Sequence, residues 1–167
     1  HQSLDRAIGL LETELSANGL RDTLMRVAHR AKHGIEMDEE LADLPKIPCF
    51  PSQLNQVFLN LLVNAVQAIE GAGRVTVRSR VREGFVEVDI EDDGVGIAAE
   101  NLDRIFDPGF TTKGVRVGTG LGLSISDQIV QEHHGRIDVR SRLGEGACFT
   151  VAIPTDLDAR LGRRPEA

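Results

Sequence analysis

The chain has 167 residues, 41% hydrophobic and 27% charged, and its 26 acidic against 19 basic side chains leave a formal charge of −7. That length suits one globular domain whose core needs neither disulfides nor structural zinc, and Cys49 and Cys148, outside any C-x-x-C pattern, are expected as buried small side chains in a reducing, cytoplasmic setting. Scattered Lys and Arg, the acidic balance and the absence of Trp and Tyr argue against a nucleic-acid surface, and no apolar run approaches the roughly 20 residues that span a bilayer.

The chain opens on His1 rather than Met, so it is expected to be a trimmed piece of something longer. Leu4, Ile8, Leu11 and Leu15 recur at helical spacing before Asn18-Gly19, which predicts a helix over 4–17. Leu20, Leu24, Val27, Ala28 and Ala31 predict a second over 21–32. Ile35 to Glu39 and Ile47 to Phe50 read as short strands around a turn at Asp43 to Pro45, the first weakened by its acidic residues. Pro51-Ser52 then opens the clearest helix, with Leu54, Val57, Phe58, Leu61, Leu62, Ala65, Ala68 and Ile69 on one broad apolar face until Gly71.

Arg74 to Val81 and Phe85 to Glu91 alternate and form an expected antiparallel hairpin. After Asp92-Asp93-Gly94-Val95-Gly96-Ile97 comes a short helix near 99–105. Residues 107–122 hold five glycines and no hydrophobic period, which makes them a long loop of the kind that carries function. A helix over 121–133 ends at Gly135, and Arg136 to Ser141 with Ala147 to Ile153 close the fold as a second hairpin. The expected organisation is an N-terminal helix in 1–19, one domain over 20–154, and a frayed tail over 155–167.

Three constellations could carry chemistry. Asn60 and Asn64 lie four apart, one turn above the other on one helix face; they either bridge core elements or present neutral amide oxygens, which suit Mg²⁺ beside substrate phosphates. Asp93-Gly94-x-Gly96 at a strand end is either a plain turn or an acceptor for an exocyclic amine, with glycines that admit a flat ring. Gly118-Thr119-Gly120-Leu121-Gly122-Leu123 opens a helix, where free N–H groups face an anion such as phosphate. It matches neither the dinucleotide G-x-G-x-x-G nor the P-loop ending. In chain order the three describe a site for adenine at one end and Mg²⁺-triphosphate at the other.

With Ile105-Phe106-Asp-Pro and Phe110-Thr-Thr-Lys113 between them, Asn60-Leu-Leu-Val-Asn64-Ala, Asp93-Gly-Val-Gly96-Ile and Gly118-Thr-Gly-Leu-Gly-Leu123 resemble the N, G1, F and G2 boxes of the sensor histidine kinase ATP-binding domain. That family lies within the gyrase, Hsp90, histidine kinase and MutL superfamily, and the resemblance runs over about residues 20 to 154, through Gly144-x-Gly146-x-x-Phe149-Thr150. It implies an α/β fold, a two-layer sandwich of the Bergerat type, with helices over one face of a mixed, mostly antiparallel sheet and a mobile ATP lid. By the same resemblance Asn64 binds Mg²⁺, Asn60 supports the phosphate region, and Asp93 binds the adenine amine. Gly94 and Gly96 give the ring clearance and Ile97 packs on it. Phe106, Phe110, Thr111, Thr112 and Lys113 belong to the lid, Lys113 as a phosphate contact where the bland alternative is a solvated loop charge. Gly118, Thr119, Gly120, Leu121, Gly122 and Leu123 carry the lid's end around the phosphates, and Thr150 joins the adenine side.

Three positions depart from the family pattern. Asn60 stands where the gyrase-like branch has a glutamate general base, which favours phosphate donation over hydrolysis because an amide takes no proton from water. Gly109 replaces a common phenylalanine, and Gln67 a basic residue of some members. The five histidines are followed by Gln2, Arg30, Gly34, His134 and Gly135, so none sits in the family's phosphoacceptor box. His133 and His134 at a helix end read as capping or surface residues, and His29 with His33 lack a third ligand for a metal.

The resemblance thus implies an ATP- and Mg²⁺-binding catalytic domain of a bacterial two-component sensor kinase. Its partners would be a dimerising phosphoacceptor histidine domain outside this chain and a response regulator receiver domain. Two other readings stand beside it: an ATP-dependent regulatory switch that controls a protein partner, as anti-sigma-factor kinases do, and a gyrase- or MutL-type ATPase.

Overall fold

The computed structural model of the chain describes residues 34–43, 49–110 and 122–155. The helices expected over 4–17 and 21–32 and the tail from 156 onward lie outside those residues. Within them, the apolar period after Phe50 forms helix α1, Pro51–Ala68, with proline in its first turn. A proline there gives up only an N–H that has no helical partner. Leu54, Val57, Phe58, Leu61, Leu62 and Ala65 are buried along its inner face. Each large side chain among them contributes roughly 1.5–3 kcal/mol relative to exposure.

That face packs on a five-stranded sheet of β1 Ile35–Leu41, β2 Gly73–Arg82, β3 Phe85–Asp92, β4 Arg136–Ser141 and β5 Ala147–Pro154. The spatial order is β1-β2-β3-β5-β4, with β1 and β2 parallel and every other neighbour antiparallel. This is the two-layer architecture with a mixed, mostly antiparallel sheet that the boxes imply. Two hairpins were expected and both form. The β2–β3 turn puts Glu83 at φ 53° and Gly84 at φ 79°, both left-handed, the combination that matches the twist of the flanking strands.

One pairing was not expected. Ile35–Leu41 lies parallel to β2, Ile35 opposite Gly73 and Leu41 opposite Ser79; Ile47 and Pro48 lie outside the described residues, and Cys49 and Phe50 lead straight into α1. Its acidic residues do not weaken it, because strand alternation sends Glu36, Asp38 and Glu40 to the sheet face away from the helices. Arg74 pairs there with Glu36 at 2.7 Å and Asp38 at 2.9 Å. The ladder continues across that face through Arg78 with Glu91, Arg80 with Asp89 and Arg82 with Glu87.

On the other face, helix α2 Gly122–Glu132 lies beside α1. It stops in a Schellman arrangement: the His134 N–H donates to Gln131 O and the Gly135 N–H to Val130 O, both at 2.9 Å, with His134 at φ 59°. Among the described residues no helix is long and apolar enough to cross a membrane.

Candidate functional site

Asp92, Asp93, Gly94, Gly96 and Ile97 lie where β3 ends, against the end of α1 and the β4–β5 hairpin. Along β3, Val86, Val88, Ile90 and Asp92 alternate onto the helix side, so Asp92 continues the row of core side chains and is only 5% exposed. Its Oδ1 accepts a hydrogen bond from the Gly94 N–H at 2.9 Å. Asp93 turns the other way and is exposed; its Oδ1 accepts the Arg74 N–H at 2.8 Å, closing the start of β2. Gly73 makes that contact possible, since a Cβ there would lie 2.6 Å from Asp93 Oδ1. Asp92, rather than Asp93, is thus the buried carboxylate at this strand end. Strand alternation carried two residues beyond Ile90 reaches it.

The glycines after Asp92 serve the protein's own backbone. A Cβ on Gly94 would sit 2.3 Å from Ala68 O, the acceptor of the Val95 N–H at 2.9 Å. Gly96 has φ 72° and its missing Cβ would lie 2.0 Å from Arg142 O. Gly94 and Gly96 thus make room for the end of α1 and the β4–β5 turn. The Ile97 N–H donates to Ser141 Oγ at 2.8 Å, and that hydroxyl donates to Gly146 O at 2.7 Å, locking loop to hairpin. Ile97 packs on the core. A cavity of about 470 Å³ opens at the β3–β5–β4 end of the sheet, lined by Asp92, Leu102, Ser141 and Ala147 together with the far-face side chains Glu91, Arg140 and Cys148.

Asn60 and Asn64 share the α1 flank toward this end. Asn60 Nδ2 donates to Gly122 O at 3.3 Å and to Ser126 Oγ at 3.2 Å, while its Oδ1 accepts from Gln56 Nε2 at 2.7 Å. Asn64 is half-buried one turn further on. An amide oxygen suits Mg²⁺, which keeps waters and substrate phosphates rather than an all-protein cage. Among the described residues no group of three His, Cys, Asp or Glu is placed to hold a metal.

Ile105 is buried, and Phe106 and Phe110 pack against the core from its rim. The Phe110 N–H donates to Asp107 O at 3.1 Å across Pro108-Gly109, with Gly109 at φ 80°. A turn of this kind needs a left-handed residue at its third position, so Gly109 has a local reason to differ from phenylalanine. It returns Phe110 to the core with the Arg104 guanidinium 4.8 Å from the ring centre. Thr111, Thr112, Lys113, Gly118, Thr119, Gly120 and Leu121 lie outside the described residues. Gly122 begins α2, and Leu123 packs on the core.

Thr150 is not brought to this site. Its neighbours Phe149 and Val151 fill the core, so alternation puts Thr150 on the far face, where its hydroxyl donates to Asp89 Oδ1 at 2.6 Å. Burial raises the Asp89 carboxyl, but hydrogen bonds from Arg80 and Thr150 and the charges of Arg80 and Arg78 outweigh it and hold the group below its ordinary range. On the same face burial, reinforced by the Asp89 charge, pushes the Cys148 thiol up; Cys148 is buried and neither cysteine is in a disulfide.

Residues 50–157 match the family described as histidine kinase-, DNA gyrase B-, and HSP90-like ATPases. The sensor histidine kinase ZraS of Escherichia coli strain K12 is 45% identical over 114 residues, 68% of this chain and 24% of that protein. Sporulation kinase E of Bacillus subtilis is 35% identical over 150 residues, 88% of this chain and 20% of that protein. The chain thus spans about a quarter or less of the curated relatives it matches. Among solved structures, the catalytic domain of histidine kinase ThkA superposes with a TM-score of 0.78 at 30% identity, over 87% of this chain and 97% of that one. Full-length ShkA in complex with AMPPNP gives 0.77 at 31% identity, over 85% and 30%. The boxes, the sheet order and these likenesses agree, and the chain belongs to the histidine kinase, DNA gyrase B and HSP90-like ATPase family, as a catalytic ATP-binding domain of the sensor histidine kinase kind.

Proposed function

We propose that this domain binds Mg²⁺-ATP at the end of β3 and donates the γ-phosphate to a histidine on a separate dimerising domain. The full-length kinase then passes it to a response regulator receiver domain, in the cytoplasm. The observation that carries the reading is Asp92, a buried carboxylate at a strand end beside a cavity. Such a group accepts a hydrogen bond from an exocyclic amine far better than an exposed one, because water competes less. Asn64 would hold Mg²⁺, which neutralises charge on the phosphates when bound.

Donation rather than hydrolysis follows from Asn60. A water-activating base must take a proton, and the Asn60 amide instead spends its N–H donors on Gly122 and Ser126 and its oxygen on Gln56. What remains for this chain is to position ATP for in-line attack by an external nucleophile, which is worth several kcal/mol of barrier when geometry is tight. The test is calorimetric titration with ATP and ADP, with and without Mg²⁺, followed by incubation with radiolabelled ATP and a histidine phosphoacceptor domain. Mg²⁺-dependent binding and label transfer without steady phosphate release are expected. Sustained hydrolysis by the isolated chain would contradict the reading.

A further inference from the structure

Asn60, Gly122 and Ser126 form one clasp. Ser126 is 0% exposed, and its Oγ donates to Gly122 O at 2.7 Å while accepting from Asn60 Nδ2 at 3.2 Å. Asn60 Nδ2 reaches the same Gly122 O at 3.3 Å. A carbonyl can only accept, so the Asn60 amide is fixed with nitrogen toward α2 and oxygen toward Gln56. Gly122 is the first residue of α2 and the last glycine of the glycine-rich motif. The clasp therefore ties the origin of α2 to the α1 turn that precedes Asn64.

We infer that Ser126 is a positioning residue for the phosphate end of the nucleotide site: with Asn60 it sets where the first turn of α2 stands relative to Asn64. This rests on the functional reading above and goes beyond it. Nothing in the glycine-rich motif marks Ser126, which lies past the motif inside the helix. A serine hydroxyl that bonds the carbonyl four residues back does not strengthen a helix on its own account, yet here it is fully buried and shared with a second helix. The arrangement also demands an amide at position 60. A carboxylate there would bring no N–H to Gly122 O and would set two acceptors against each other, so this clasp and a glutamate-type general base are mutually exclusive at that position.

The experiment compares wild type, Ser126→Ala, Ser126→Thr, Asn60→Ala and the double variant Asn60→Ala/Ser126→Ala. ATP binding is read by calorimetry with Mg²⁺, adenosine binding by NMR chemical-shift titration, and melting temperature by calorimetry. Loss of one buried hydrogen bond that positions the phosphate end should weaken ATP by about five- to tenfold. Adenosine, which has no phosphates, should bind Ser126→Ala as it binds wild type, and Ser126→Thr, which keeps the hydroxyl, should recover ATP affinity. The double variant should lose no more than Asn60→Ala alone, since both break one clasp. Equal losses for ATP and adenosine, or unchanged ATP affinity in a folded Ser126→Ala, would overturn the inference. A wild-type chain that binds no nucleotide would bring down the functional reading itself, and the inference with it.

Discussion

His133, at the end of α2, accepts a hydrogen bond on Nε2 from the N–H of Phe50, the residue that caps the start of α1, at 3.1 Å. Accepting there puts the ring proton on Nδ1, which donates to Ile129 O at 2.8 Å. The imidazole is 2% exposed and meets the Phe50 ring edge-on, centroids 5.7 Å apart. With Asn60, in the middle of α1, joined to Gly122 at the opposite end of α2, α2 is fastened at both of its ends, antiparallel to the first half of α1. His133→Leu keeps the volume but strips the acceptor from a partly buried N–H, so it should cost about 1–3 kcal/mol in urea unfolding. A loss below about 0.5 kcal/mol would mean that water replaces the ring at no cost.

His134, next in the chain, should behave in the opposite sense. It holds φ 59° just past the helix, a conformation in which a side chain costs about 1–2 kcal/mol and glycine nothing. His134→Gly is therefore expected to raise stability by about 1 kcal/mol, or roughly 2–4 °C in melting temperature. Calorimetry of the two proteins side by side checks this.

Gly109 separates conformation from packing. A Cβ there would touch nothing within 4 Å, so Gly109→Ala should destabilise only through its φ of 80°, by about 1 kcal/mol. A much larger loss would show that the Asp107 to Phe110 turn is held by contacts as well as by backbone shape.

The far face of the sheet supplies a pH prediction. Asp89 titrates below its unfolded value in the folded protein. Its ion pair and hydrogen bonds therefore contribute in full above about pH 4, the unfolded aspartate value, and are lost as pH falls through the lower folded value. Asp89→Asn should reduce stability at pH 7 and flatten its decline below pH 4 in urea titrations at stepped pH. Thr150→Val, which deletes one donor to the same carboxylate, should cost about 1–2 kcal/mol and leave ATP affinity unchanged.

Local pattern carried most of the fold. The apolar period from Leu54 to Ile69 and the alternation in β2 through β5 each report one buried face, and each element formed within a residue or two of its expected bounds. The partner of β1 had no such signal, because parallel pairing joins Ile35 to Gly73 across the whole of α1. In the site, motif spacing located the β3 end and both asparagines. It could not say that Gly94 and Gly96 are required by Ala68 and Arg142, since those contacts exist only once the elements have packed. Period-two alternation, legible in the sequence, places Asp92 with Ile90 and Val88, and Thr150 opposite to Phe149 and Val151.

The most direct measurement sets Asp92→Asn against Asp93→Asn in ATP titrations by calorimetry. Both substitutions keep a side-chain oxygen for the local N–H, so the turn itself should survive in each. Asp92→Asn should abolish measurable ATP binding, and Asp93→Asn should bind within about twofold of wild type. Loss of binding in Asp93→Asn with Asp92→Asn unaffected would contradict the account and return the nucleotide contact to the exposed carboxylate.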